Sequence, residues 1–370
     1  MKYTQELLIQ LDAIQESIKH LPGMHDQFTH DPTKGRQVEG GTTGARFAAH
    51  IPVVAPGADN ETKRAAMKES GLMDLYENDP EARAFYQMMA HYTQGYYQGI
   101  RGIGTQLMEG TYIQNVARGL ANRDSEFVNA RYVAMQKALI AETGRHYTEF
   151  EIAGLLSRDP ENSTQEKAVA IARRVRDEFP VPDKYYKKAA KASEGYWGTG
   201  NNVFGPDGQK IKKTKMTTAE VAGRMETLKE VMEASIPQDA PIYRGIIEPH
   251  EDTAKILKEF APGSEHIMGP TSFTSSAEMG NQFADGTIKG SMSPRVPSVQ
   301  AGWIIEIAPG ARALDINAIS TFPQGEVLAM GRFKVKSAIA PVEATDAHGH
   351  IVLEYLGIPE LEKFPVKEAK

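Results

Sequence analysis

The sequence predicts an α+β protein, with a mainly helical N-terminal region over residues 1–180 and a strand-rich region over 183–360. Three observations carry this expectation. Residues 63–178 hold long stretches of good helix formers punctuated by Ser/Thr-x-x-Glu signals. Six short β-favouring segments follow at 241–247, 269–274, 302–308, 312–316, 324–335 and 350–356. Pro180 and Pro182 separate the two regimes by stopping the last helix of the first. A chain of 370 residues exceeds one ordinary core, so two domains are expected.

Residues 1–21 set Leu7, Leu8, Leu11, Ile14, Ile18 and Leu21 among Gln, Glu and Asp, the spacing of an amphipathic helix and not of a signal peptide. Residues 23–62, rich in Gly, Thr, Pro and His, read as a long flexible loop. In the helical stretch, Thr148-x-x-Glu151 and Ser163-x-x-Glu166 have the form of capping boxes. The helix from Ser163 carries Ala168, Ile171, Ala172, Val175 and Phe179 on one side. Gly102-x-Gly104 is half of a dinucleotide fingerprint with no strand before it, and is read as helix-turn punctuation. Thr217-x-x-Glu220 opens a further helix whose apolar face is Val221, Met225, Leu228 and Met232.

Composition bounds the chemistry. Hydrophobic residues at 41% and charged residues at 24% are globular values, and a net charge of −6 argues against a general nucleic-acid coat. The absence of cysteine excludes disulfides, thiolate metal sites and a cysteine nucleophile. His20, His25 and His30 lack metal-ligand spacing, so no metal is expected. No apolar run reaches about 18 residues, so no membrane span is expected. Lysines from Lys184 to Lys215 are interleaved with Tyr185, Tyr186, Trp197 and Phe204, which keeps nucleic acid open as a partner.

Three fragments concentrate the reactive side chains. In PIYRGI, Arg244 sits in an apolar strand, where a guanidinium needs an anion, and Gly245 lets backbone approach a ligand. In TSFTSS, Ser272 and Thr274 end a strand, and Ser275-x-x-Glu278 starts a helix as a capping box. In FPQGEVLAM, Gln324 and Glu326 stand two apart, which in an extended strand puts both on one face.

An arginine, a hydroxyl cluster and a Gln-x-Glu pair in this order resemble the Arg/Ser/Glu class of mono-ADP-ribosyltransferases, which includes bacterial toxins and transferases of tailed phages. Phe283, nine residues after Thr274, stands where that family has its helix phenylalanine, and Val327-Leu328 follows the glutamate as is habitual there. Ser272-Phe273-Thr274 departs from the family's Ser-Thr-Ser triplet, and Ser275 or Ser276 is an alternative for its hydroxyl.

The resemblance implies two packed antiparallel sheets with NAD, a co-substrate, in the cleft between them. It implies that Arg244 holds the diphosphate, that Ser272 and Thr274 position nicotinamide and the glutamate, and that ionised Glu326 stabilises the positive charge developing on the ribose. Gly245, Ser275 and Phe283 are expected at the NAD site. The polar stretch from Gly286 to Gln300 is expected to close over it, with Lys289 or Arg295 touching phosphate. Gln324 implies an Asn, Gln or nucleobase acceptor in place of arginine, and Phe322 is expected to face the partner.

The expected activity is transfer of ADP-ribose to a macromolecule, a host protein first, by a bacterial or phage effector. Such a protein would act in the cytoplasm, of a host cell after delivery, or be packaged in a virion. The N-terminal region is a candidate for binding a partner or packaging machinery. The alternatives are an NAD glycohydrolase and a structural or delivery protein whose transferase-like region only binds.

Overall fold

The computed structural model describes residues 43–93, 97–157, 165–189, 196–197, 203–211, 216–287, 300–320, 325–342 and 348–363. The amphipathic segment 1–21 and the three spaced histidines lie outside these residues. Residues 38–370 form one compact unit.

Helices dominate the first half. They are α1 (Thr43–His50), α2 (Asn60–Glu69), α3 (Leu72–Asn78), α4 (Pro80–His91), α5 (Tyr97–Met108), α6 (Tyr112–Ala121), α7 (Ser125–Thr143), α8 (Glu149–Leu156), α9 (Glu166–Glu178) and α10 (Asp183–Ala189). Side chains satisfy several N-termini: Asp59 accepts from Thr62 N, Asp79 from Glu81 N and Ala82 N, and Asp124 from Glu126 N. The expected capping box at Thr148 and Glu151 is complete. For α9 the helix begins with Gln165 at the N-cap, and Ser163 lies outside the described residues.

The long loop expected over 23–62 needs correction where it is described. Residues 43–50 are helical because tertiary burial holds a segment that is too short to be stable alone: Phe47 and Ala48 are buried, and the Phe47 ring meets Phe85 edge-on at 4.5 Å. Gly104 lies inside α5 and is not punctuation; a Cβ there would come within 2.4 Å of Pro270 Cδ, so the absent side chain lets α5 lie on a strand.

Four two-residue strands, β1 (Tyr196–Trp197), β2 (Val203–Phe204), β3 (Lys210–Ile211) and β4 (Met216–Thr217), pair as β1 with β4 and β2 with β3. Helix α11 (Thr218–Ala234) follows and buries the expected face of Val221, Met225, Leu228 and Met232. The remaining elements are β5 (Ile242–Pro249), α12 (Thr253–Glu259), β6 (Glu265–Thr274), α13 (Ala277–Ala284), β7 (Gln300–Ile307), β8 (Ala313–Asp315), β9 (Glu326–Ile339) and β10 (Gly349–Gly357). No helix among the described residues is long and apolar enough to cross a membrane.

Where two packed antiparallel sheets were expected, hydrogen bonding links the strands β5 to β10 into one six-stranded sheet in the order β10-β7-β5-β6-β9-β8, and β7 with β10 is parallel. Strand β10 also pairs with β9, which brings the sheet round on itself. The 14-residue β9 makes this possible. Its first part borders β8 at Val327, Leu328 and Ala329, and its second borders β10 from Arg332 onward. Between the two, Gly331 takes φ 140°, a conformation open to glycine.

The apolar interior does not follow the sequence boundary at Pro180. One cluster joins Phe47, Phe85, Met89 and Leu107 of the first half to α11, Leu314, Leu328 and Met330. A second draws Ile242, Phe273, Trp303, Ile305, Val327, Phe333, Ile351 and Leu353 from the five strands β5, β6, β7, β9 and β10. Alternate residues of β9 thus serve both cores, which explains the unbroken apolar run after Glu326.

Candidate active site

Strands β5 and β6 share a single residue pair, Tyr243 with Thr274. Beyond it they part, and a side chain spans the opening: Arg244 Nη1 donates to the carbonyl of Ser272 at 2.8 Å. Across β6, Glu326 of β9 stands opposite Thr274, and Leu328 stands opposite Ser272. Ser272 is therefore the diagonal neighbour of Glu326, and its hydroxyl donates to Oε1 at 2.5 Å. Arg244, Ser272 and Glu326, spread over three strands, meet at this point.

Glu326 is only 7% exposed. Burial raises its carboxyl above the ordinary value, while hydrogen bonds from the Ser272 and Ser320 hydroxyls and the charges of Lys63 and Arg244 pull the other way. Its Oε2 is buried and makes no well-formed hydrogen bond among the described residues, although the Ser320 hydroxyl lies close enough to the carboxyl to favour its ionised form. An acceptor held dry without a well-formed hydrogen bond costs free energy.

Two residues from the helical half reach this centre, and neither was singled out from the sequence. Tyr92, next after α4, places its hydroxyl 3.0 Å from Ser272 Oγ and 3.2 Å from the carbonyl oxygen of Pro270. Because Ser272 donates to Glu326, the tyrosine proton is shared between Ser272 Oγ and Pro270 O. Burial and the nearby Glu326 charge raise the Tyr92 phenol well above its usual range, so it remains a donor. Lys63 of α2 is 3% exposed and donates from Nζ to Ser320 O at 2.7 Å. In sequence, Tyr92 is one of several aromatics in a helical run and Lys63 one lysine in a polar helix; the only signal was Lys63 and Met67 one turn apart on the face that α2 buries.

Replacing Tyr92 by Phe tests the chain Tyr92, Ser272, Glu326. It is expected to cost roughly 1 kcal/mol of stability and a several-fold loss in kcat, with KM little changed, measured by thermal unfolding and steady-state kinetics.

The other expected site residues divide into three groups. Thr274 and Ser275 are present at the junction, but Thr274 is buried and its hydroxyl accepts the Ser276 N–H at 3.1 Å, a strand-to-helix turn. The cap of α13 is Ser276, whose hydroxyl accepts from Met279 N at 3.2 Å, so the cap lies one residue beyond the expected Ser275 and Glu278 does not stand at the third helical position that a capping box requires. Half-buried Phe283 and Gly245 face each other across the α13–β5 contact. A Cβ on Gly245 would lie 2.1 Å from Gly280 O and 2.7 Å from Phe283 Cβ, so the glycine admits helix α13, where a ligand was expected.

The strand expected from 324 starts at Glu326, and Gly325 before it is left-handed at φ 62°. The two-apart, one-face argument for Gln324 and Glu326 therefore does not apply. Phe322, Gln324, Lys289 and Arg295 lie outside the described residues.

No protein-family model matches this chain, and no curated protein matches it. Solved structures to which it is similar include the ADP-ribosyltransferase HopU1 of Pseudomonas syringae pv. Tomato DC3000, at 17% identity and TM-score 0.26, covering 37% of this chain and 53% of that one. The chain thus spans about half the length of that protein. It is also similar to the Vis toxin, an ADP-ribosyltransferase from Vibrio splendidus, at 13% identity and TM-score 0.25, covering 65% of this chain and 83% of that one. A third is an ADP-ribosyltransferase toxin from Paenibacillus larvae, at 16% identity and TM-score 0.26, covering 37% of this chain and 72% of that one. Likeness this distant carries no functional argument, which rests on the residues of the site.

Proposed function

We propose that this chain transfers ADP-ribose from NAD to a macromolecular acceptor and releases nicotinamide. The observation that carries the reading is the meeting of Arg244, Ser272 and the buried, half-satisfied carboxylate of Glu326 where β5 and β6 part. The free energy comes from NAD itself, whose ribose is joined to a positively charged nicotinamide.

The chain's own groups fit such a ligand. Arg244 supplies a permanent charge and forked donors suited to a diphosphate. Glu326 Oε2 has an acceptor lone pair to offer a ribose hydroxyl, and the ionised carboxylate offsets positive charge on the sugar as nicotinamide leaves. Ser272 fixes the carboxylate's orientation through Oε1, and Tyr92 fixes Ser272. Thr274 shapes the turn that carries Ser275 to the rim, beside Gly325.

In this reading residues 183–360 form the transferase part, with β5, β7 and β10 on one side of the cleft and β6, β8 and β9 on the other. Gln324, a neutral amide, orients an Asn, Gln or nucleobase acceptor, Phe322 meets the partner, and Arg295 reaches phosphate. The acceptor is carried by a host macromolecule, which makes the protein an effector.

Incubating the full chain with NAD and a cell lysate is expected to release nicotinamide and to label a macromolecule with ADP-ribose, identified by mass spectrometry. Nicotinamide release without label would replace transfer by hydrolysis. The absence of both products would overturn the reading, and a labelled arginine would overturn the acceptor assignment.

A further inference from the structure

Helix α2 lies far from Glu326 in sequence, yet it delivers an ammonium group to the catalytic corner. Lys63 and Met67 share the buried face of α2, and Lys63 is 3% exposed where a lysine ordinarily reaches water. Its Nζ donates to Ser320 O at 2.7 Å. That carbonyl closes a tight turn, in which Ile319 N and Ser320 N both bond Ile316 O. Ile316 N in turn donates to the backbone carbonyl of Glu326 at 3.0 Å, and Asp315 stands opposite Val327 in the β8–β9 ladder. Lys63 is thus tied to the turn that is itself tied to Glu326.

We propose that Lys63 is a positioning residue for Glu326: its buried ammonium, anchored on the Ser320 carbonyl, fixes the turn that holds the catalytic carboxylate in place, so the helical region completes the active site. The inference rests on Glu326 being the catalytic carboxylate. Among the described residues, the charged and titratable groups around that carboxylate are Lys63 and Arg244, which favour its ionised form, and the Tyr92 phenol; Asp315 shares Lys63 with it. Burial lowers the lysine's own pKa, and the charges of Glu326 and Asp315 counter that loss. Each ion therefore offsets part of the burial penalty on the other. The segment leading into α2 also reaches the rim: a Cβ on Gly325 would lie 2.9 Å from Pro56 Cγ, and Asn317 Nδ2 seats that segment by donating to Val54 O and Ala55 O at 2.8 and 3.0 Å.

The test is a double-variant cycle on the full chain, read in two ways. The first is thermal unfolding of wild type, Lys63→Met, Glu326→Gln and the double variant. If the two groups are coupled, Lys63→Met lowers the melting temperature of wild type by several degrees more than that of Glu326→Gln. Equal shifts in both backgrounds would overturn the proposal, and this readout holds whether or not the protein acts on NAD.

The second is the pH profile of nicotinamide release. Lys63→Met is expected to lose about 10- to 100-fold in kcat at pH 7, with its acid limb moved to higher pH and KM little changed. Lys63→Arg is expected to restore part of the loss, whereas an acid limb unmoved in Lys63→Met would overturn the proposal. If wild type releases no nicotinamide, the proposed function fails while the unfolding cycle still decides the role of Lys63.

Discussion

Glu326→Gln is expected to lower kcat for NAD cleavage by about 10²- to 10³-fold while raising the melting temperature at neutral pH. The two effects share one cause. A carboxylate 7% exposed, whose Oε2 makes no well-formed hydrogen bond among the described residues, is held where its charge is poorly solvated. The neutral amide keeps nearly the same shape, so Ser272 retains a partner, but the charge that answers the developing cation is gone.

Linkage fixes how the stability gain varies with pH. The folded carboxyl holds its proton more tightly than the unfolded one, because burial raises its pKa. Wild type therefore gains stability as pH falls from above the folded value toward the unfolded one, and loses it as pH rises through that window. The variant lacks this dependence. Its advantage should be greatest above the folded value and shrink as the solution is acidified, which calorimetry across a pH series would reveal. A variant that melts lower than wild type at every pH would contradict this account of the site.

Gly245→Ala is expected to cost roughly 2–4 kcal/mol of stability and to depress NAD cleavage at the same time. The added methyl would meet backbone, Gly280 O at 2.1 Å and Ala284 N at 2.5 Å, and neither can turn aside as a side-chain tip could. Relief requires α13 to lift from β5. That helix begins at the Ser276 cap, directly after the turn that Thr274 makes, so lifting it disturbs the junction beside Ser272. Chemical denaturation and steady-state kinetics on the same preparations would check both effects; a variant as stable as wild type would show that α13 does not press on the strand.

Much of this architecture was legible because its signals are local. The strands from 242 onward lie within a few residues of the β-branched and aromatic runs that predict them, and the Thr148 box needs only Glu151 three residues on. What escaped depends on partners distant in the chain. Helix α1, too short to stand alone, forms because Phe47 finds Phe85 and the face of α11. Gly245 looked like a ligand position because nothing near it in sequence announces the backbone of Gly280. Arg244, Ser272 and Glu326 were identifiable by order and residue type, whereas Tyr92 and Lys63 were not, since their partners lie 180 and 257 residues away. A lysine bonded to a carbonyl that far along the chain leaves no periodic trace.

The closed strand order has a lopsided strength. On one flank β9 and β10 are laced from Arg332 to Ile339, while on the other the β5–β6 ladder has one pair, Tyr243 with Thr274, and the Arg244 side chain bonded to the Ser272 carbonyl. Parting the weak flank would break the Tyr243–Thr274 rung and the Arg244–Ser272 bond, while the laced flank holds β9 and β10 in register. The core shared by Ile242 of β5 and Phe273 of β6 resists such parting, which keeps the arginine and the carboxylate at one spacing.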